Sequence, residues 1–290
     1  MVRPTYLEPR SVEEAISLLV KYEDKAKVIS GGTDLLVQMK HNIPLADYLI
    51  NVSKVRDLDY IKYDQTNGLK IGALANVGSV ANSPLIQEKF NVLAQGASLL
   101  GTPAIRNQAT IGGNLCNAAP SADIVPPLIV LGAVAKFVGK EGEKTVPVEN
   151  FFTGPGVTIL EPYQLLIEIQ ISTQQLLSGG AYLKQTRGRG ADLAVVGVAA
   201  LVVMEAEILK DVKIGLGAVA PTPIRAKKAE AILRGMKLND KLLEESAQAA
   251  SYESKPIDDI RSSADYRRKL VAILTKRAVL QAVQKAQSEV

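Results

Sequence analysis

Two stretches of this chain, Ser30-Gly31-Gly32-Thr33-Asp34 and Gly101–Asp123 (GTPAIRNQATIGGNLCNAAPSAD), each couple a glycine pair to hydroxyl side chains. Glycine lets a backbone approach a ligand closely and reach positive φ, so that successive N–H groups can turn toward one anion. Two such loops on one chain point to a pyrophosphate held from two sides. The fold must then bring together stretches that are far apart in sequence.

With 290 residues, 47% of them apolar, the chain can bury two or three compact subdomains without covalent staples. Its 34 basic and 30 acidic residues are spread along the sequence, and the net charge of +4 forms no block that would suit a nucleic acid. A single cysteine, Cys116, excludes an internal disulfide, and this chain alone cannot build a cysteine-ligated iron–sulfur cluster or structural zinc site. No apolar segment follows Arg3 as a secretory signal would require. The longest apolar run, Ile124 to Ala135, contains Pro126 and Pro127 and is too short for a bilayer. The expected location is the cytoplasm.

Ser11 precedes a helical pattern with Glu14 three residues on, a capping-box arrangement that predicts a helix over 11–22. The run 26–30 reads as a strand entering the first glycine pair, and Leu35–Lys40 as a short helix leaving it. Further strands are expected at 48–51, 69–71 and 133–138, and helices at 77–83 and around 90–99. Pro162 marks an approximate break. Beyond it 182–185, 194–204 and 210–216 are β-rich, and helical patterns cover 224–234, 240–252 and 264–285. Strands followed by helices indicate an α+β C-terminal part.

Several other motifs fail on context. Gly215–Ala220 fits G-x-G-x-x-A, but Pro221 and Pro223 would interrupt the helix that must face the phosphates, so a strand end closing onto a proline-started helix is expected. Gly139–Thr145 resembles a phosphate loop except that Glu143 stands where the second glycine belongs, and it reads as a hairpin turn. His41, the only histidine, has no nucleophile elbow to accompany it and suits a helix end. Cys116, with no histidine near it in a motif, reads as packing. Asp34 suits a helix cap, since a carboxylate facing a pyrophosphate would be repelled. Arg106 could offset phosphate charge or brace the loop. Asp123 could accept hydrogen bonds from ribityl hydroxyls or cap the segment before Pro126, and residue type favours the cap.

The sequence IRNQATIGGNLCNAAPSAD followed by PPLIVLGA resembles the FAD-binding medium subunit of molybdenum hydroxylases, the xanthine dehydrogenase, carbon monoxide dehydrogenase and aldehyde oxidoreductase group. SGGTDLLVQMK, Glu161–Leu166, Tyr182–Gln185 with Arg187, and Asp258–Arg261 with Tyr266-Arg267 and Lys276–Ala278 continue the likeness in order, over essentially the whole chain.

The resemblance implies an α+β fold of the vanillyl-alcohol-oxidase type. Two N-terminal α/β subdomains, 1–55 and 56–175, and a C-terminal antiparallel sheet with helices, 176–290, would hold FAD between them. It implies that Ile29, Ser30, Gly31, Gly32, Thr33, Asp34 and Leu35 form the first pyrophosphate loop. Ala109, Thr110, Gly112, Gly113 and Asn114 would form the second. Asp123 would bind the ribityl side, Leu100 and Leu166 would line the flavin or adenine pocket, and Lys184, with Tyr182, would lie near the isoalloxazine ring. Position 33 is Thr where related flavoproteins attach FAD through a histidine, so a non-covalent flavin is expected. One branch adds a four-iron cluster in this subunit, which a single cysteine cannot ligate. The implied role is electron transfer: a large subunit carries the molybdenum cofactor, a small subunit carries two [2Fe–2S] clusters, and FAD here passes electrons to an external acceptor in a hetero-oligomer. No residue of this chain is expected to act as a catalytic acid or base. Aldehyde oxidation by the whole complex is expected ahead of carbon monoxide oxidation. The rival readings are a stand-alone flavin oxidoreductase of the same fold and a structural subunit with an empty flavin site.

Overall fold

A computed structural model describes residues 4–41, 46–175, 177–188 and 191–288. Met1–Arg3, part of the N-terminal segment read above, and residue 176, at the expected start of the C-terminal part, lie outside the described residues.

The capping box forms with one change. Helix Val12–Tyr22 begins at Ser11, whose hydroxyl accepts the Glu14 amide at 3.1 Å, while the Glu14 carboxylate accepts the Arg10 amide at 2.8 Å. This helix buries Ala15 and Leu19 against a parallel sheet in which Tyr48–Asn51 lies between Thr5–Leu7 and Ala26–Ile29. Parallel neighbours need crossover connections. Val12–Tyr22 lies between the first two strands in sequence, and Leu35–Lys40 between the second and third.

The second sheet has five antiparallel strands in the order Ile61–Asp64, Gly68–Gly72, Leu165–Ile171, Val134–Gly139, Gly142–Pro147. Its central strand follows Pro162, so the break expected there does not occur: the chain returns to the middle of this sheet before leaving it. The expected hairpin turn after Gly139 is present, with Gly142 at φ +92°. Helices Val77–Asn82, Asn91–Leu99, Ile111–Asn117 and Val125–Val130 carry Val80, Leu93, Leu115 and Leu128 into the core under this sheet.

The third sheet is antiparallel and runs Ser178–Gln185, Val196–Glu205, Ile208–Gly217, Ile224–Arg225. Val196–Glu205 is buried at nine of its ten positions, which follows from a sheet covered on both faces. Val198, Ala200 and Val202 enter the core shared with helix Ala264–Ser288, while Ala199 and Leu201 enter the core of the second sheet. Successive strand residues face opposite ways, and one face here is docked on the middle of the molecule. Ile224–Arg225 was expected to open a helix but pairs with Gly215–Leu216 as an edge strand, and the helix starts at Lys227. Gly217 accordingly ends a strand that leads into another short strand rather than a helix. Among the described residues, no helix is long and apolar enough to cross a membrane.

Candidate functional site

The first glycine pair leaves strand Ala26–Ile29 at its C-terminal end, where ligands bind in open parallel sheets. The second stretch is laid along residues 73–77: the Val77 amide donates to Ala109 O at 2.9 Å, the Ile111 amide to Ala75 O at 3.0 Å and the Gly112 amide to Ala73 O at 2.9 Å. Thr110 caps helix Ile111–Asn117 by accepting the Gly113 amide at 3.0 Å.

The two loops meet. A Cβ at Gly31 would sit 2.0 Å from Gln108 O, so only glycine lets the backbones come this close, and Gly32 adopts φ +68° at the turn. Ser30 Oγ lies 2.9 Å from Thr110 Oγ1. One of these two hydroxyl protons is used in that contact, which leaves the other to donate to a ligand. The amides of Ile111, Gly112 and Gly113 are already engaged, whereas those of Gly32, Thr33 and Asp34 have no acceptor among the described residues. The first loop therefore supplies the backbone donors for an anion, and the second supplies the hydroxyl.

Around this junction lies a cavity of about 600 Å³. Fifteen of the seventeen expected residues line it: Ile29 to Leu35, Leu100, Ala109, Thr110, Gly112, Gly113, Asn114, Asp123 and Leu166. Among the described residues Asn114 Oδ1 is buried and accepts no hydrogen bond, which leaves a place for a ligand donor. Apolar Leu100, Leu160 and Leu166 share the wall with Gln38 and Gln164.

Tyr182 and Lys184 are not on the wall. Two residues apart on strand Ser178–Gln185, they face the same way and hold Asp123 from behind. Tyr182 Oη donates to Asp123 Oδ1 at 2.8 Å, and Lys184 Nζ donates to Asp123 Oδ2 at 2.7 Å and to Leu99 O at 3.0 Å. The Lys184 and Asp123 side chains are each 5% exposed. Burial raises the Asp123 carboxyl above its ordinary range against the opposing pull of Lys184, and burial next to that carboxylate raises the Tyr182 hydroxyl well above its own. Asp123 thus does not cap helix Val125–Val130, which has Ile124 at its N-cap and no side-chain cap. Each carboxylate oxygen keeps a lone pair for a ligand hydroxyl.

Two further sequence readings change, those of Asp34 and Cys116, and the alternatives left open for Arg106 narrow to one. Asp34 sits at the N-cap of Leu35–Lys40 but makes no capping hydrogen bond, and it lines the cavity. Arg106 braces the loop, donating from Nη1 to Leu100 O at 2.9 Å and Gly101 O at 3.1 Å. Cys116 is not packed in a core but opens into the cavity. His41 does end its helix. Sequence reasoning missed Asn117 and Ser121 on the wall, although both lie within the same glycine-pair stretch, and Leu193, for which no local signal exists.

A two-sided anion cradle joined to a partly apolar cavity of this volume with hydroxyl-accepting groups suits a dinucleotide. Residues 2–173 match the FAD binding domain in molybdopterin dehydrogenase, and residues 181–282 match the CO dehydrogenase flavoprotein C-terminal domain. The carbon monoxide dehydrogenase medium chain of Hydrogenophaga pseudoflava is 32% identical over 276 residues, covering 94% of this chain and 95% of that one. The xanthine dehydrogenase FAD-binding subunit of Escherichia coli is 29% identical, covering 96% of each. The glyceraldehyde dehydrogenase medium chain of Sulfolobus acidocaldarius is 30% identical, covering 94% and 96%. A solved structure of the Hydrogenophaga pseudoflava carbon monoxide dehydrogenase, one lacking the Mo-pyranopterin moiety of its cofactor, superposes with a TM-score of 0.94 over 98% of each chain. The chain belongs to the family of FAD-binding medium subunits of molybdenum hydroxylases, as an oxidoreductase flavoprotein component.

Proposed function

We propose that this chain is the electron outlet of a cytoplasmic multi-subunit molybdenum hydroxylase, receiving electrons from the [2Fe–2S] clusters of a small partner subunit and passing them to an external acceptor. A large partner subunit would carry the molybdenum cofactor and the substrate. The observation that carries this reading is the junction of both glycine loops on one cavity, through Ser30 and Thr110. When bound, FAD supplies a carrier that can be filled by single electrons and emptied in pairs, and the redox chemistry belongs to it.

The residues fit that cofactor. The free amides of Gly32, Thr33 and Asp34 and one hydroxyl of the Ser30–Thr110 pair would hold the pyrophosphate, with Thr33 leaving the flavin non-covalent. Asn114 Oδ1 and Asp123 would accept hydrogen bonds from hydroxyls, and Leu100 and Leu166 would cover apolar ring surface. Lys184 would place its positive charge behind Asp123, at the back of the wall. The divisions near 55 and 175 are part of the proposal, with FAD seated where the three parts meet.

Relatives from enzymes named for carbon monoxide, xanthine and glyceraldehyde all lie within 29 to 32% identity of this chain. Such evenness suits a subunit that does not itself contact the substrate. The separate-subunit arrangement favours an aldehyde as the substrate of the complex, with carbon monoxide next. Purification from the native source should bring down two partner chains, with molybdenum, iron and FAD. The isolated chain should be yellow, release FAD on denaturation and oxidise no organic substrate. A colourless, folded chain would favour an empty structural subunit, and turnover by the chain alone would favour a stand-alone oxidoreductase.

A further inference from the structure

Helix Asn91–Leu99 ends beside the cavity, and the bend that follows, Leu100-Gly101, forms part of its wall. The carbonyls at a helix C-terminus lack intrahelical partners and carry the negative end of the helix dipole. Here three successive carbonyls are met by two cations. Lys184 Nζ donates to Leu99 O, while one guanidinium nitrogen of Arg106, Nη1, donates to both Leu100 O and Gly101 O. The bend is tight: Gly101 has φ +49°, and helix Pro103–Gln108, which carries Arg106, starts two residues later under the Thr102 cap. Arg106 therefore reaches back from the next helix to clamp the turn that leads into it. It does not line the cavity, and among the described residues it forms no ion pair with a carboxylate.

We propose that Arg106 is a positioning residue of the cofactor site, holding the Leu100–Gly101 bend so that Leu100 presents its side chain to bound FAD, and acting through that wall rather than by neutralising phosphate charge. This rests on the reading that FAD occupies the cavity. The guanidinium suits the task because one nitrogen offers two N–H groups in a plane, and so can span two adjacent carbonyls. A lysine keeps the charge but presents it as a single rotating ammonium of shorter reach, without the planar fork.

The two modes of action separate in FAD titrations of the full chain, followed by flavin fluorescence at about 50 and about 500 mM salt, a range over which exposed charge contacts are screened. The proteins are wild type, Arg106→Ala, Arg106→Lys, Leu100→Ala and the double variant Leu100→Ala/Arg106→Ala. Arg106→Ala is expected to weaken FAD binding about tenfold, the effect of losing a hydrogen-bonded clamp, by the same factor at both salt concentrations. Arg106→Lys should recover only part of that loss, and the visible circular dichroism of bound flavin should change in both variants. In the Leu100→Ala background the Arg106→Ala change should cost less than twofold, because residues acting through one another are not additive. Additive losses in the double variant, full recovery by lysine, or a defect confined to low salt would overturn the proposal. Should Arg106→Ala fail to fold, the lysine variant at the two salt concentrations still decides between wall and charge. A wild-type chain that binds no FAD would instead refute the reading of the cavity itself.

Discussion

A methyl group added at Gly31 has no room. Its ideal position lies 2.0 Å from Gln108 O, which is backbone and cannot rotate aside, so the two loops must separate. At Gly113 the nearest atoms are side-chain hydroxyls, Thr110 Oγ1 at 2.8 Å and Ser30 Oγ at 3.3 Å, which can give way by turning. Gly31→Ala is therefore expected to lower stability by about 1–3 kcal/mol, as overpacking does, and to abolish FAD retention. Gly113→Ala should be milder on both counts. Urea unfolding of the FAD-free chains measures the first effect and the flavin-to-protein ratio the second. Unchanged stability and flavin content in Gly31→Ala would mean that the loops do not meet as described. The sequence shows that glycine is needed here but not for which reason: at Gly32 it is the positive φ, and at Gly31 it is a neighbour almost eighty positions away.

Strand Ser178–Gln185 connects the third sheet to the cavity through the two side chains that grip Asp123. Removing the cationic partner of a buried ion pair leaves a carboxylate without compensation, so Lys184→Met should cost roughly 3–5 kcal/mol in unfolding free energy. Tyr182→Phe, which removes one hydrogen bond to that group, should cost about 1–3 kcal/mol. Denaturant unfolding without FAD tests both. If Lys184 instead served the flavin alone, Lys184→Met would leave the stability of the FAD-free chain unchanged. Elements whose signals are local were legible: Leu35–Lys40 and Tyr48–Asn51 stand where hydrophobic pattern and flanking residues put them. Those defined by distant partners were not. Leu165–Ile171 is buried at five of seven positions without strict alternation, because its register shifts between Leu166 and Glu168 and its two faces enter different cores, and Ile224–Arg225 is a strand only because Gly215–Leu216 lies beside it. The contact of Lys184 with Asp123 likewise has no local signature, which is why resemblance placed both residues at the site without showing that one supports the other.

Across the whole molecule the cavity is a seam. Ile29 ends a strand of the parallel sheet and Val52 belongs to that sheet's core, Ala73, Ala109 and Leu166 belong to the core of the five-stranded sheet, and Asp192 and Leu193 come from the connection between the first two strands of the third. The cores themselves interlock, since Leu74 and Leu165 pack with the parallel sheet, and Ala199 and Leu201 with the five-stranded one. A ligand filling this seam would meet residues from the regions of all three sheets, and its binding free energy would stabilise them together. At a free FAD concentration about 100 times the dissociation constant the stabilisation is about 2.7 kcal/mol, which for a chain of this size raises the melting temperature by about 4 °C. Removing the flavin should lower the midpoint by that amount, and adding FAD back should restore it in a concentration-dependent way. The holo chain should melt in one transition, whether followed by flavin release or by far-ultraviolet circular dichroism. Flavin release well below the loss of secondary structure, or a midpoint indifferent to FAD, would show that the cofactor is held by one part of the chain and not by the seam.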